Sequence, residues 1–230
     1  MLTLPDTERK RLRHTARAAL QAGRLDAARQ ALQRLTLAEP RNAALHLDLA
    51  QIAYRAADRA ACLRHLDKAT GLAPDDARVA TTAAGRLAAL GADDAALALH
   101  DRRVALDPSA VAPRADRAWI LQRLGRLDDA EAAFRAAIRD HPHEVELYRM
   151  LSATLRFDRG DPLIRQMETL WPKTRAKDAA RVQLGFALAK AMDDIGRSDR
   201  VFDYLDAANA AQARLAPFDA EALRAEHADW

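Results

Sequence analysis

Small side chains and helix-breaking residues recur along this chain with a period of 34 residues. The prolines mark the period most clearly, at Pro40, Pro74, Pro108 and Pro142. Counting each proline as position 32 of a unit gives blocks 9–42, 43–76, 77–110 and 111–144. Position 8 is then alanine at Ala50, Ala84 and Ala118, and position 20 is Ala28, Cys62, Ala96 and Ala130. Because small residues let two helices approach closely, the pattern predicts a helix–turn–helix unit in every block.

The turn between the two helices is predicted at position 15 of each block. The residues there are Gly23, Ala57, Gly91 and Gly125. Glycine can end a helix in the left-handed conformation because it has no Cβ. Position 18 is aspartate in three blocks, and we predict that Asp26, Asp94 and Asp128 are the N-caps of the second helices. The proline at position 32 then stops each second helix.

This pattern resembles the tetratricopeptide repeat, which has 34 residues, small residues at positions 8 and 20, an aromatic residue near 24 and proline at 32. The fourth block matches best, with Gly125, Ala130, Phe134, Ala137 and Pro142. Position 24 differs in the other blocks, and position 4 lacks tryptophan in all of them. The resemblance implies an all-α fold, a right-handed superhelical solenoid of helix–turn–helix repeats. Scarce β-branched residues and abundant Ala, Leu and Arg favour helix as well.

Beyond residue 144 the period weakens. We predict a degenerate fifth repeat, with a first helix at about Val145–Phe157, followed by a charged connector. A late repeat-like unit is predicted from Val182, because Gly196 then takes position 15. The tail Gln212–Trp230 is predicted to form a capping helix that covers the exposed end of the solenoid. The predicted organisation is four repeats in 1–144, the degenerate fifth repeat and connector in 145–181, and the late unit with its cap in 182–230.

The C-terminal third carries a second resemblance. The stretch LGFALAKAMDDIGRSDRVFDYLDAAN, followed by APFDAE, is similar to the linker of bacterial tetratricopeptide-repeat sulfotransferases. In that family a catalytic domain that uses the sulfate donor PAPS follows the repeats and opens with a phosphate-binding loop of the type PRSGTT. No such loop occurs in this sequence. The resemblance therefore implies a regulatory or substrate-presenting part of a sulfotransferase system, and it transfers no catalytic residue.

Charge and cysteine content narrow the function classes. The 36 basic and 33 acidic side chains nearly balance, although the first 36 residues are clearly basic. A basic helix can attract an acidic partner, but a solvated helix face is the commoner reason for such a run. Cys62 is the only cysteine, so an internal disulfide is impossible. With no apolar run of about 18 residues and no signal peptide, we expect no membrane span and a cytoplasmic location.

Candidate catalytic and metal-binding groups are few. The phosphate-loop patterns and the zinc signature H-E-x-x-H are absent from the sequence. His141 and His143 flank Pro142 at turn positions, which does not favour a metal site. The recurring pairs Asp93–Asp94 and Asp128–Asp129 are interpreted as helix-capping residues rather than catalytic carboxylates. We therefore predict no enzyme, no catalytic residue, no metal and no cofactor.

The resemblance implies that ligands bind in a concave groove lined by the first helices. Reading positions 2, 5, 6, 9, 12 and 13 of the repeats predicts a basic groove with interleaved aromatic residues. These groove residues are Arg13, Arg17, Gln51, Tyr54, Arg55, Arg78, Trp119, Gln122, Arg123, Arg149, Arg156 and Phe157. Arginine can bind a carboxylate through two parallel hydrogen bonds, and aromatic side chains add rigid apolar area.

The leading hypothesis is a non-enzymatic scaffold that binds a protein or an acidic peptide in this groove. The alternatives are the sulfotransferase-associated function and, more weakly, nucleic-acid binding through the basic first helix and the groove aromatics. The nearly balanced charge and the acidic residues in every block disfavour nucleic acid. The other interpretation of the same groove residues is a solvated surface, or one covered by the last helix.

Overall fold

The protein is a series of helix pairs. The computed structural model describes residues 4–174 and 178–217, and within these ranges it contains twelve α-helices, one short 3-10 helix and no strand. The helices are α1 Asp6–Gln21, α2 Leu25–Ala38, α3 Ala43–Arg55, α4 Arg59–Leu72, α5 Ala77–Ala89, α6 Asp93–Leu106, α7 Val111–Arg123, α8 Leu127–Asp140, α9 Val145–Ser152, α10 Pro162–Leu170, α11 Asp178–Asp194 and α12 Ser198–Leu215. The 3-10 helix is Trp171–Thr174. The predicted all-α repeat fold is confirmed.

The chain divides into two compact units, Met1–Pro113 and Arg114–Trp230. The first unit holds the helix pairs α1–α2, α3–α4 and α5–α6, and neighbouring pairs contact one another through α2 with α3 and α4 with α5. The boundary falls within the first turn of α7, at the start of the fourth repeat, and the second unit holds the rest of α7 and the later helices. Within the second unit α11 packs against α12.

The turns between paired helices use the left-handed conformation at position 15. Gly23, Gly91, Gly125 and Gly196 have φ angles of 71°, 68°, 72° and 74°. Ala57 occupies the equivalent position with φ of 56° and is the only non-glycine residue of the described chain with positive φ. The side chain of an L-residue approaches the following carbonyl oxygen in this conformation, so Ala57 is strained where glycine is not.

Replacing Ala57 with glycine is therefore expected to raise the free energy of unfolding by about 1 kcal/mol, because the strain of the left-handed alanine is removed. The reciprocal change Gly91→Ala is expected to lower it by a similar amount. Urea unfolding followed by circular dichroism measures both. A lower unfolding midpoint for Ala57→Gly would contradict the strain argument.

The predicted N-cap role of the position-18 aspartates is wrong. The residue at position 16 is the N-cap of α2, α6 and α8, where it is Arg24, Ala92 and Arg126, and none of these makes a side-chain capping hydrogen bond. The helices begin after the left-handed residue and one further non-helical residue, which places the aspartates inside the first turn. There their charge still favours the positive helix end. Only α4 among the second helices of the four blocks has an aspartate cap, Asp58, whose carboxylate accepts from the N–H of Ala61.

The small residues at repeat positions 8 and 20 lie in the interfaces between helices. Ala50, Ala84 and Ala118 at position 8 are at most 1 % exposed, and so are all four residues at position 20, including Cys62. Burial raises the pKa of the Cys62 thiol, so it is held in the protonated form. Leucine, histidine or phenylalanine at position 24 fills the space beside these alanines. The apolar core of each unit is thus built from the positions that the repeat pattern marks.

The fifth repeat departs from the predicted helix Val145–Phe157. Helix α9 ends at Ser152, and residues 155–158 are irregular. This segment is held by α11: Asp194 accepts from the N–H of Phe157 at 3.0 Å, and the Lys190 ammonium donates to the carbonyl of Leu155 at 3.1 Å. Because α11 satisfies these backbone groups, the chain does not need to continue the helix to pair them.

Helix α10 begins at a strong cap. The carboxylate of Asp161 accepts from the N–H of Leu163 at 2.9 Å and from the guanidinium of Arg135 at 2.8 Å. Most of the predicted capping helix Gln212–Trp230 lies outside the described part of the chain: α12 ends at Leu215, and residues 218–230 are not described. None of the described helices is both long and apolar enough to cross a membrane.

Candidate functional site

Two consecutive pockets lie on the surface formed by the first helices of unit 1, which we call the first-helix surface (α1, α3 and α5). The first pocket has a volume of about 570 Å³ and is lined by α1, α2 and α3, with Arg13 and Arg17 on its α1 side. The second has a volume of about 480 Å³ and is lined mainly by α3 and α5, including Gln51 and Arg78. Asp48 on α3 lines both pockets. The surface therefore brings four of the predicted groove residues to two adjoining depressions.

Several cations of the first-helix surface are already paired inside the protein. The Arg13 guanidinium donates to both carboxylate oxygens of Glu39 at 2.7 and 2.6 Å. Those hydrogen bonds, together with one from Asn42 to Glu39, hold the pKa of the Glu39 carboxyl below its usual value against the opposing effect of burial. Arg55 donates to the carbonyl of Leu20 at 3.0 Å. Arg13 and Arg55 therefore stabilise contacts between α1, α3 and the end of α2.

Tyr54, the aromatic residue predicted for this surface, is covered by the side chain of Arg86. The guanidinium of Arg86 lies 3.9 Å from the centre of the Tyr54 ring and also donates to the side-chain carbonyl of Gln51. A cation over an aromatic face is attracted by the ring quadrupole, so Arg86 and Tyr54 hold each other in place. Arg86, a residue that the sequence analysis did not predict, thus forms part of the second pocket.

Arg17 and Arg78 differ from these paired arginines. Both side chains are exposed, and neither guanidinium has a hydrogen-bond or ion-pair partner among the residues that the structure describes. One lies in each pocket. An unpaired guanidinium presents five N–H donors, which suit a carboxylate of a bound partner.

Asp48 is the acidic residue that lines both pockets. Asp76 also lines the second pocket, but its carboxylate caps α5 by accepting from the N–H groups of Arg78 and Val79. Loss of hydration raises the pKa of the Asp48 carboxyl, while the positive charges of Arg78, Arg13 and Arg17 act in the opposite direction. Its carboxylate accepts no hydrogen bond from another residue within ranges 4–174 and 178–217. The first-helix surface thus has an unpaired carboxylate, that of Asp48, between the unpaired guanidinium groups of Arg17 and Arg78.

The predicted groove residues of unit 2 form a separate group. Trp119 is 40 % exposed, and the guanidinium of Arg123 stacks 4.9 Å from the centre of its ring. The amide of Gln122 donates weakly to the carbonyl of Ala153 at 3.5 Å, and Arg149 is exposed on α9. These side chains offer an aromatic and basic surface within unit 2.

Arg156 and Phe157 do not lie on a helix as predicted. Arg156 is exposed and lines a pocket of about 470 Å³ together with Asp158, Arg159 and the end of α11. Phe157 is only 2 % exposed. The interpretation of Phe157 as a ring that contacts a partner is therefore corrected, because the irregular segment after α9 turns this residue into the core.

Comparisons with known proteins agree with this geometry. Family models described as tetratricopeptide repeat match residues 19–85 and residues 111–154. Over these two ranges the chain contains tetratricopeptide repeats. A search of curated proteins finds no significant match.

Solved structures with similar folds include several of MamA. The chain matches a MamA RS-1 double mutant with a TM-score of 0.58 at 16 % identity, covering 77 % of this chain and 99 % of the other. MamA from Desulfovibrio magneticus RS-1, residue 41 to the end, matches with a TM-score of 0.57 at 16 % identity, covering 76 % of this chain and 99 % of the other. A further MamA crystal structure matches with a TM-score of 0.53 at 14 % identity, covering 92 % of this chain and 97 % of the other. These similarities show the fold alone. The tetratricopeptide repeats in residues 19–85 and 111–154 support a protein-interaction scaffold.

Asp48 and Arg86 were missed by the sequence analysis for different reasons. Asp48 is at position 6 of the second tetratricopeptide repeat, which is one of the groove positions, so its sequence position alone carries the signal. Arg86 is at position 10 of the third repeat, outside the groove set, and its long side chain reaches Tyr54 of the preceding repeat. Only the stacking of the two repeats reveals the second residue.

Two histidines meet between the helices of the second tetratricopeptide repeat. The Nδ1 atoms of His46 on α3 and His65 on α4 lie 3.2 Å apart, and the rings stack with centres 5.5 Å apart. At this distance one nitrogen must donate and the other accept, so the accepting ring is neutral. Burial lowers the pKa of both residues, and nearby charges including Lys68 act in the same direction. In the described part of the chain no three His, Cys, Asp or Glu side chains form a metal-binding group.

Acidification is expected to destabilise unit 1 through this histidine pair. Both pKa values lie below the ordinary 6.5 in the folded state, so the unfolded chain binds more protons there. The stabilisation is therefore present above pH 6.5 and declines as the pH falls below 6.5 towards the lowered folded-state pKa values. Urea unfolding at a series of pH values on both sides of 6.5 measures the change. The His46→Leu/His65→Leu variant is the control, and an equal pH dependence in this variant would contradict the assignment.

Proposed function

We propose that the protein is a non-enzymatic scaffold whose first-helix surface binds a peptide segment of a partner protein through that segment's carboxylates. The observation that supports this best is the pair of adjoining pockets, about 570 and 480 Å³, with Arg17 in one and Arg78 in the other. Two unpaired guanidinium groups on neighbouring helices can bind two carboxylates of an extended chain.

The other basic residues of the surface have supporting functions in this proposal. Arg13 is neutralised by Glu39, and Arg86 is fixed over Tyr54, so both shape the pocket walls. Such preformed walls reduce the ordering cost of binding. Leu20, Leu45 and Leu47 add apolar lining that suits the side chains between the carboxylates of a peptide. Binding then combines apolar contact with two charge-assisted interactions.

The experiment is a binding titration with defined probes. Fluorescein-labelled peptides of equal length, one glutamate-rich and one lysine-rich, are titrated with the full chain and followed by anisotropy. We expect the glutamate-rich peptide to bind and the lysine-rich one not to. Arg17→Glu with Arg78→Glu is expected to weaken binding at least about tenfold, because two charge-assisted contacts are replaced by repulsion.

A matched charge-reversal variant separates local contacts from net charge. Arg11→Glu with Arg64→Glu makes the same change in net charge at exposed residues that line neither pocket. Circular dichroism verifies that both variants fold. Equal weakening by the two double variants would overturn the proposal, and so would tighter binding of a labelled single-stranded oligonucleotide than of the acidic peptide.

A further inference from the structure

The charges of the first-helix surface alternate from one helix to the next. Arg17 is on α1 in the first pocket, Asp48 is on α3 where the two pockets meet, and Arg78 is on α5 in the second pocket. Since α3 follows α1 and α5 follows α3 in the stack of repeats, a segment crossing the three helices passes a positive, a negative and a positive group in turn.

All three groups have free hydrogen-bonding capacity. Within the described ranges, Asp48 forms no side-chain hydrogen bond or ion pair, and the guanidinium groups of Arg17 and Arg78 form none either. Arg13 also acts on Asp48, but its guanidinium is engaged by both oxygens of Glu39. The interaction of Asp48 with the other two arginines is therefore electrostatic and leaves its oxygens free to accept from a ligand.

The carboxylate of Asp48 disfavours a negatively charged ligand group beside it. The Asp48 side chain is exposed where the two pockets meet, so water reaches its carboxylate. A ligand that covers the junction of the pockets removes this water. A carboxylate placed there would be repelled, whereas an ammonium or guanidinium group would supply the missing donor.

We infer that Asp48 determines specificity, so that the first-helix surface prefers a mixed-charge segment with one basic residue between two acidic ones over a uniformly acidic segment. The acidic residues bind Arg17 and Arg78, and the basic residue donates to Asp48. This inference rests on the proposed function and adds the charge order of the partner. Selectivity arises from repulsion of the wrong sequence as well as from attraction of the right one.

The test compares three labelled peptides that differ only at the central residue, which is lysine, glutamine or glutamate between two glutamates. Each is synthesised with several spacings between the charges and titrated with the full chain. We expect the lysine peptide to bind at least about tenfold more tightly than the glutamate peptide at the best spacing. Asp48→Asn keeps the size of the side chain. It is expected to remove most of this preference, because the glutamate peptide then binds more tightly.

The outcomes separate the inference from the proposed function. If the glutamate peptide binds the unchanged chain as tightly as the lysine peptide, and Arg17→Glu with Arg78→Glu weakens both, the inference is wrong and the proposed function stands. If Asp48→Asn weakens all three peptides equally, Asp48 only positions the arginines and the inference is again wrong. If none of the peptides binds, both proposals fail.

Discussion

Replacing Phe134 with alanine is expected to lower the free energy of unfolding by about 3–5 kcal/mol. Phe134 is the aromatic residue at position 24 of the fourth repeat and is fully buried on α8. Truncation removes most of a large side chain and leaves a cavity that the neighbouring helices fill only in part. Urea unfolding monitored by circular dichroism measures the loss.

The control for this change is Phe202→Ala on α12. Phe202 is 67 % exposed, so its truncation removes little buried area and is expected to change the free energy of unfolding by no more than about 0.5 kcal/mol. The two substitutions are chemically identical and differ only in environment. A similar loss for both would contradict the assignment of Phe134 to the core.

Gly185→Ala is expected to destabilise the protein by about 2 kcal/mol, although alanine is the better helix former. Gly185 lies inside α11, where this helix packs closely against α12. A Cβ atom there would lie 2.8 Å from the Cβ of Ala208, and 3.2 Å from both the Trp171 ring and the Tyr204 carbonyl oxygen. Backbone and ring atoms cannot move aside without separating the helices, so overpacking outweighs helix propensity.

The same substitution in open space should have the opposite sign. Gly85 lies inside α5, and a Cβ there meets no atom within 4 Å. Gly85→Ala is therefore expected to stabilise the protein by about 0.5–1 kcal/mol through helix propensity alone. Thermal and urea unfolding of the two variants in parallel compare the signs. Stabilisation by Gly185→Ala would show that α11 and α12 can separate at little cost.

Fold prediction succeeded because the repeat is encoded locally. A helix pair needs small residues where the helices meet, a residue that tolerates positive φ in the turn, and proline after the second helix. These requirements recur every 34 residues and are visible without any long-range contact. The N-cap error arose because a single non-helical residue after position 15 suffices to start the helix, so the aspartates fall inside the first turn.

Site prediction was limited by contacts between residues that are far apart in the sequence. Arg13 and Arg17 are indistinguishable in sequence, both being basic residues of one helix at groove positions. Glu39, 26 residues away, binds the first and leaves the second open. Likewise Phe157 is buried because Asp194, 37 residues later, holds its backbone outside a helix. The charge of a side chain is given by the sequence, but its availability depends on which distant groups fold next to it.

The sequence by itself determined the class of this protein, an array of tetratricopeptide repeats with a basic first-helix surface. Only the tertiary structure decided which arginines of that surface are unpaired, that Asp48 lies between them, and that Gly185 cannot bear a side chain. The physical reason is the separation along the sequence over which each interaction acts. Helix propensity, turn conformation and amphipathic pattern act between residues close in the sequence, whereas ion pairing, burial and close packing depend on atoms that are distant in the sequence and that folding brings together.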